Sequence, residues 1–174
     1  TATSGADYAV FGVQTAMFDG GLTDGTVTTG AVTSPALAVQ EDPLLEGSET
    51  VLLTLTNASG PATSLGDTAN TTTIADNESA TLSIATTSTV TEAGGVQAVG
   101  LVTLTITGTG AGALALGQGV VVSAEVTQAG GTATSGADYA VFGVQTAMFD
   151  GGLTDGTVTT GAVTSPALAV QEDP

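Results

Sequence analysis

The side chains able to do chemistry in this sequence are almost all carboxylates. Its 174 residues include 17 Asp and Glu residues but no Lys, Arg, His or Cys, so the formal charge is −17. Carboxylate oxygens are ligands that Ca²⁺ prefers, and a calcium site needs several of them to converge from separate loops. A pair of carboxylates can also hydrolyse a glycosidic bond. Cation binding and acid–base catalysis are therefore the two chemistries to weigh.

The missing residue types disfavour several classes of function. A Ser or Thr nucleophile needs a base, and only carboxylates are available for that role. The chain has no Trp and only two Tyr to stack a sugar ring, so a glycosidase is disfavoured and no enzymatic activity is predicted. Nucleic-acid phosphates and anionic membranes both attract basic side chains, so neither is an expected partner. No apolar run is long enough to insert into a membrane.

One long stretch of the sequence occurs twice. Residues Thr1–Pro43 return without a change at Thr132–Pro174, an offset of 131 residues. A period of this length suits a whole domain rather than one turn of a solenoid. The sequence therefore has the pattern of a segment taken from a longer tandem array, and neighbouring copies of the same module are its expected partners.

Alternating apolar and polar residues predict that β-strands position these carboxylates. In residues 101–107, Val102, Leu104 and Ile106 alternate with Thr, which is typical of a half-buried strand. Residues 15–29 are rich in Gly and Asp and are interpreted as turns. About seven strands per period predict an all-β, antiparallel sandwich of the immunoglobulin-like kind. The strands predicted in this way cover residues 7–14, 31–40, 50–57, 68–75, 80–85, 101–107 and 119–128.

Four segments taken together resemble one known family. They are TLSI…TVTEAGG at residues 81–95, GTATSGADY at 131–139, DPLLEGSET at 42–50 and TTTIADN at 71–77. In this order they resemble the Calx-beta domain, a calcium-binding Greek-key sandwich found in sodium–calcium exchangers, integrin β4 and bacterial surface proteins. The likeness covers the whole period. Residues 146–160 depart from it, because they are longer and richer in Gly than the family usually has there.

The register of that family implies where one module ends and the next begins. Residues 1–77 would be the C-terminal part of one module, and residues 78–174 the N-terminal part of the next. Residues 76–78 reach at most about 10 Å, whereas the two ends of a ten-residue strand lie roughly 33 Å apart. Residues 44–77 are therefore not expected to complete the sandwich formed by residues 78–174, and each part should be completed by a neighbouring copy.

The resemblance also implies a calcium site at one pole of the sandwich. Such a cluster of acids repels itself unless a cation is present, because no basic side chain lies nearby. The alternative for any single member is a solvated loop acid, which is also the interpretation given to Asp19, Asp24, Asp67 and Glu125. The implied ligands are Glu92, Asp138, Glu172 and Asp173 in residues 78–174, and Asp7, Glu41, Asp42, Glu46, Glu49 and Asp76 in residues 1–77.

These observations predict a structural repeat of a secreted or surface-displayed fibre, stiffened by Ca²⁺ at the junctions between modules. The alternative is an adhesin module that binds a glycan or a host surface. Identical copies favour the structural repeat, since a dedicated recognition domain is usually a single tip. Selective, competable binding of one module on a glycan array would favour the adhesin.

The first testable prediction is complete resistance to trypsin, because the chain has no Lys or Arg. Digestion after heat denaturation and calcium chelation should leave the full-length band unchanged on a gel. A Lys-containing protein digested in the same tube controls for protease activity. A ladder of fragments would contradict the prediction.

Overall fold

The computed structural model describes residues 2–92 and 95–172, and this part of the chain is all-β, with no helix. It therefore contains no helix long and apolar enough to cross a membrane. The strands are β1 (Leu44–Leu45), β2 (Glu49–Thr54), β3 (Ala69–Ile74), β4 (Ser79–Ile84), β5 (Gly95–Ala98), β6 (Val102–Thr107), β7 (Ala115–Leu116), β8 (Val121–Val126), β9 (Gln145–Asp150), β10 (Val163–Thr164) and β11 (Ala167–Val170).

The chain divides into two compact units, each made of two stretches of sequence. The first unit consists of Thr1–Glu41 and Ser48–Ala75, and the second consists of Asp42–Gly47 and Asp76–Pro174. The second unit therefore includes residues 42–47, which precede strands β2 and β3 of the first unit.

The core of the second unit is built around β6. Val102, Leu104 and Ile106 are buried along this strand while the Thr between them are more exposed, as the alternation predicts. The antiparallel sheet β10–β6–β4 supplies one side of the core. The antiparallel pair β8–β9 supplies buried Ala147 and Phe149 to the same apolar cluster. Two groups of strands thus share one core, an arrangement consistent with a β-sandwich.

A short segment, residues 42–47, is built into the second unit through parallel pairing of β1 with β7. Leu44 lies opposite Ala115 and Leu45 opposite Leu116, and the N–H of Gly117 donates to the carbonyl of Leu45 at 2.9 Å. The backbones approach closely here. A Cβ on Gly110, whose φ is +115°, would lie 2.4 Å from the carbonyl oxygen of Asp42. Gly is therefore required at this position.

This pairing bears on one expectation from the sequence. Residues 44–77 were not expected to complete the sandwich formed by residues 78–174, and of them only a short segment that includes the two residues of β1 lies in the second unit. The reason is that a two-residue strand needs only a short exposed edge, which β7 offers, and Leu45 adds apolar area to the core. The longer strands β2 and β3 belong to the first unit instead.

The regular part of the first unit is the antiparallel pair β2–β3. Val51 is buried and Leu53 half-buried on one face of β2, while Leu52 is exposed on the other face. The N–H of Ala2 donates to the carbonyl of Thr50 at 3.2 Å. Val51 is the one buried apolar side chain of the first unit among the described residues, so this unit has little core of its own.

The two identical copies share their local backbone geometry. Tyr8 pairs with Val39 and Tyr139 pairs with Val170 in the same way. The Gln14 side chain exchanges two hydrogen bonds with the backbone of Ala36, at 3.0 and 3.2 Å, and Gln145 does the same with Ala167. These contacts recur because they depend only on residues within the 43-residue copy.

The copies differ where a strand needs a partner from outside the copy. Residues 145–150 form β9 against β8, whereas the identical residues 14–19 form no strand. The predicted strands 7–14 and 31–40 are likewise absent from the first copy apart from single bridges. The interpretation of residues 15–29 as turns does not hold for their second-copy equivalents, since β9 begins there. An identical sequence thus takes two structures according to whether β8 is available.

The burial of β6 leads to a prediction on stability. Leu104 is fully buried, so Leu104→Ala should lower the free energy of unfolding of the second unit by about 2–5 kcal/mol. Leu153, in the same unit, is 88% exposed, and Leu153→Ala should change it by less than about 0.5 kcal/mol. Urea unfolding of both variants gives the comparison. Equal losses would show that β6 does not lie at the centre of the core.

Candidate functional site

Two of the predicted metal ligands lie together at a cleft in the second unit. Glu92 and Asp138 both line this cleft. Glu92 is exposed and Asp138 is half-buried. The remaining wall is largely apolar and is formed by Val90, Thr91, Ala133, Tyr139, Leu168 and Val170.

The turn that carries Asp138 fixes the position of its carboxylate. The N–H of Asp138 donates to the carbonyl of Thr134 at 2.9 Å, and the N–H of Gly136 donates to the carbonyl of Tyr139 at 2.7 Å. Gly136 has a φ of +90°, which favours Gly. One carboxylate oxygen of Asp138 accepts a hydrogen bond from the N–H of Thr134. This carboxylate therefore stabilises its own turn as well as lining the cleft.

Tyr139 forms part of the apolar wall beside Asp138 and was not among the residues predicted from the sequence. Its side chain is 7% exposed, its backbone pairs with Val170, and its hydroxyl accepts a hydrogen bond from the amide of Gln128. The sequence contains one indication of its role. Tyr139 directly follows the candidate ligand Asp138, and the chain has very few aromatic residues.

Glu172 lies at the end of the same strand pairing but does not line the cleft. The N–H of Gln171 donates to the carbonyl of Asp138 at 2.9 Å, which holds this part of the chain against the Asp138 turn. The side chain of Glu172 is exposed. Asp173 lies outside the described residues.

Asp76 is a structural carboxylate that holds residues 46–47 in the second unit. One oxygen accepts from the N–H groups of Glu46 and Gly47, and the other accepts from the N–H of Glu78 at 2.7 Å. Burial raises the pKa of this carboxyl, but the hydrogen bonds from Glu78, Gly47 and Glu46 outweigh burial and hold the pKa below its usual value. The folded structure therefore stabilises the ionised form of the Asp76 carboxyl group.

The other acids of the DPLLEGSET loop have separate local roles. Asp42 accepts a hydrogen bond from the N–H of Leu44 at 2.9 Å, which closes a turn just before β1. The side chain of Glu46 packs against Gly117, where a Cβ would lie 2.5 Å from its Cγ. Glu41 is exposed and belongs to the first unit.

Asp7 and Glu49 form a carboxyl pair in the first unit. Asp7 is buried, and one of its oxygens accepts from the N–H of Thr3, as Asp138 accepts from Thr134. Burial, followed by the hydrogen bond and the negative charge of Asp7, raises the pKa of Glu49. Glu49 therefore favours folding while it is protonated, and this contribution is lost as the pH rises through the raised pKa.

Two pairs of candidate carboxylates each lie within one unit. Glu92 and Asp138 line the same cleft in the second unit, and Glu49 forms a side-chain hydrogen bond with neighbouring Asp7 in the first. Calcium takes about six to eight oxygen ligands, so neither pair fills a coordination shell by itself. Each pair can supply carboxylate oxygens to a cation that completes its shell with backbone carbonyls and water.

Comparisons of this chain with protein-family models, with curated proteins and with solved structures found no match.

The hydrogen bonds of Asp76 predict a pH-dependent stability. Asp76→Asn removes a charged acceptor, so the second unit should lose on the order of 1–3 kcal/mol of unfolding free energy at pH 7. Because the folded pKa of Asp76 is lowered, its contribution is present above the unfolded pKa of about 3.9 and is lost as the pH falls through the folded value. The difference between wild type and variant should therefore shrink below about pH 4.

Urea unfolding at a series of pH values measures this difference. Glu125→Gln is the matched control, because Glu125 is an exposed acid on β8 of the same unit. A gap between wild type and Asp76→Asn that stays constant down to pH 2.5 would contradict the role given to the ionised carboxylate.

Proposed function

We propose that this chain is part of a secreted or surface-displayed fibre, built from tandem β-sandwich modules of the Calx-beta kind and stiffened by Ca²⁺ where modules join. The resemblance of four ordered segments supports the module type, including its Greek-key connection and its seven or so strands. The all-β structure with a core shared between two groups of strands is compatible with it.

The observation that carries the proposal is that one Asp of the repeat has a different Glu nearby in each unit. Asp7 in the first copy forms a side-chain hydrogen bond with Glu49, which follows that copy along the chain. Asp138, the identical residue of the second copy, lines a cleft together with Glu92, which precedes that copy. In a continuous array every copy has both neighbours. Each such Asp would then have a Glu92-type and a Glu49-type carboxylate beside it.

Three carboxylates brought together at the Asp138 turn would repel one another, and a divalent cation bound between them would remove that repulsion. The chain has no basic side chain to neutralise them, so the alternatives are protonation or a bound cation. Glu92, Asp138 and a Glu49-type residue would hold the ion, with backbone carbonyls and water completing the shell. The ion would neutralise charge on residues that come from before and after the shared copy, which ties successive repeats together.

The second unit also incorporates sequence from the preceding repeat. Residues 44–47 follow the first copy, yet Leu44 and Leu45 pair with β7, and Glu46 and Gly47 donate to Asp76. An array with this arrangement would connect consecutive repeats through backbone hydrogen bonds as well as through the covalent chain. That property suits a protein whose task is to span distance under load.

The proposal predicts calcium-dependent stability and length. In a chain of four periods, millimolar Ca²⁺ should add about 1 kcal/mol per site, since extracellular modules bind with dissociation constants of about 10⁻⁴–10⁻³ M. Melting should fall by a few degrees in EGTA, and Mg²⁺ should substitute poorly because it demands a tighter octahedral shell. The maximum dimension from small-angle scattering should increase in proportion to the number of periods and should shorten in EGTA.

Paired variants separate site binding from general charge effects. Glu92→Gln with Asp138→Asn, introduced in every period, should remove most of the calcium-dependent change. Glu125→Gln with Asp67→Asn removes the same number of charges from exposed positions and should leave that change intact. Identical melting and identical dimensions with and without Ca²⁺ would refute the calcium-stiffened fibre.

A further inference from the structure

We propose that the peptide bond between Asp42 and Pro43 is a latent cleavage site. The bond is stable while residues 42–47 stay docked in the second unit. Once they are released in mildly acidic solution, the side chain of Asp42 itself breaks the bond. Water is the only co-reactant, so the proposal depends neither on the fibre nor on bound calcium.

The reaction follows from the two residue types that the bond joins. A side-chain oxygen of Asp42 attacks the backbone carbonyl carbon of the same residue and closes a five-membered ring. The nitrogen of Pro43 takes a proton from the solvent, and the carbon–nitrogen bond breaks. This leaves a cyclic anhydride on Asp42 and a free secondary amine on Pro43. Water then opens the anhydride to two carboxyl groups, so the net reaction is hydrolysis.

Proline makes this bond more labile than the other bonds that follow an Asp in the chain. Its nitrogen carries no hydrogen within the chain and leaves as a secondary amine, which is more basic than the primary amine of any other residue. A nucleophile on the adjacent side chain also acts at a high effective concentration. The same dipeptide recurs at residues 173–174, which lie outside the described residues.

Hydrogen bonds hold the Asp42–Pro43 bond on both sides in the folded chain. The carboxylate of Asp42 accepts from the N–H of Leu44 at 2.9 Å, which fixes the attacking group on its turn. The carbonyl of Pro43 accepts from the N–H of Ala115 at 3.1 Å, just before β1 pairs with β7. The departing amine is therefore held beside the anhydride, where it re-forms the amide instead of moving away.

Gly110 packs directly on the two atoms of the bond. A Cβ on Gly110 would lie 2.6 Å from the carbonyl carbon of Asp42 and 2.8 Å from the nitrogen of Pro43. Attack turns the planar carbonyl carbon into a tetrahedral one, whose substituents need space outside the peptide plane. The backbone of Gly110 borders that space, and close-packed surroundings resist such a change of shape. Docking thus opposes ring closure as well as departure of the amine.

Release of residues 42–47 therefore controls the rate of cleavage. The segment is short, and its strand β1 has only two residues. Local opening of such an element requires less free energy than unfolding of the whole unit. When opening and closing are fast, cleavage follows the fraction of molecules in which the segment is open. The bond should be cut slowly in the folded chain and rapidly in the unfolded one.

The first test compares folded and denatured chains at the same pH. The pH is the lowest at which the far-UV circular dichroism of the folded sample remains native, and the second sample contains denaturing guanidinium chloride. Mass spectrometry should find fragment 1–42, and a fragment that begins at Pro43, forming at least about tenfold faster in the denatured sample. That ratio corresponds to about 1.4 kcal/mol of docking free energy. Equal rates, or no cleavage of this bond in the denatured sample, would overturn the proposal.

Substitution of Asp42 in the denatured chain identifies the attacking group. Asp42→Glu keeps the carboxylate but requires a six-membered ring, and Asp42→Asn removes the carboxylate. Both variants should cleave at least about tenfold more slowly than wild type, because the efficiency of an intramolecular nucleophile depends on its placement. Cleavage of both at the wild-type rate would show that solvent attacks the bond, which contradicts the proposed reaction.

Gly110→Ala tests the role of docking in the folded chain. Its Cβ would displace residues 42–43, so cleavage in native buffer should be several-fold faster than in wild type. Gly130→Ala is the matched control, because Gly130 also has a positive φ, +141°, but a Cβ there would meet nothing within 4 Å. Equal rates for the two variants would contradict protection by docking.

A measurement on wild type covers the case in which Gly110→Ala does not fold. Guanidinium chloride below the unfolding transition increases local opening without unfolding the chain. The cleavage rate of the Asp42–Pro43 bond should rise with its concentration across that range and through the transition. A rate that does not change with guanidinium would show that the fold does not protect the bond.

Discussion

A β-strand cannot satisfy its own backbone hydrogen bonds, and this constraint governs the structure. The same 43 residues form strand β9 where β8 lies beside them and form no strand where it does not. Turns and side-chain bonds within the copy form in both places, because their partners are close in sequence. Local contacts thus depend on the 43-residue copy alone, while its strand β9 depends on a partner that lies outside the copy.

A chain without basic side chains has to satisfy its carboxylates in another way, and here backbone N–H groups take that role. Asp76 accepts three of them, and Asp42, Asp138 and Asp150 each accept one. Among the described residues, no buried side-chain nitrogen or oxygen lacks a hydrogen-bond partner. At Asp138 the carboxylate that stabilises its own turn is also one that lines the cleft.

Alternation in the sequence was sufficient to predict β2, β4, β6 and β8, since apolar residues at every second position indicate one buried face. It could not predict β9. Residues 145–150 contain Gln, Thr and Asp and lie in a stretch rich in Gly, and only the adjacent strand β8 makes them extended. The brief strands β1 and β7 were missed for a related reason, as two residues are too few for a periodic signal. At the candidate site, the sequence indicated Glu92 and Asp138 but not Tyr139, whose burial depends on pairing with distant Val170.

Residues 42–47 also constrain how such a chain can change in length. The second unit needs β1 at a fixed place before β4, and it needs its 43-residue copy at a fixed place after β8. Insertion or deletion of whole 131-residue periods leaves each of these neighbours in place. A change of any other length would bring an unsuitable segment to the edge of β7 or to β8. Recombination between copies of the coding sequence is therefore tolerated in steps of one period, and the number of periods can vary between lineages while the fold of each does not.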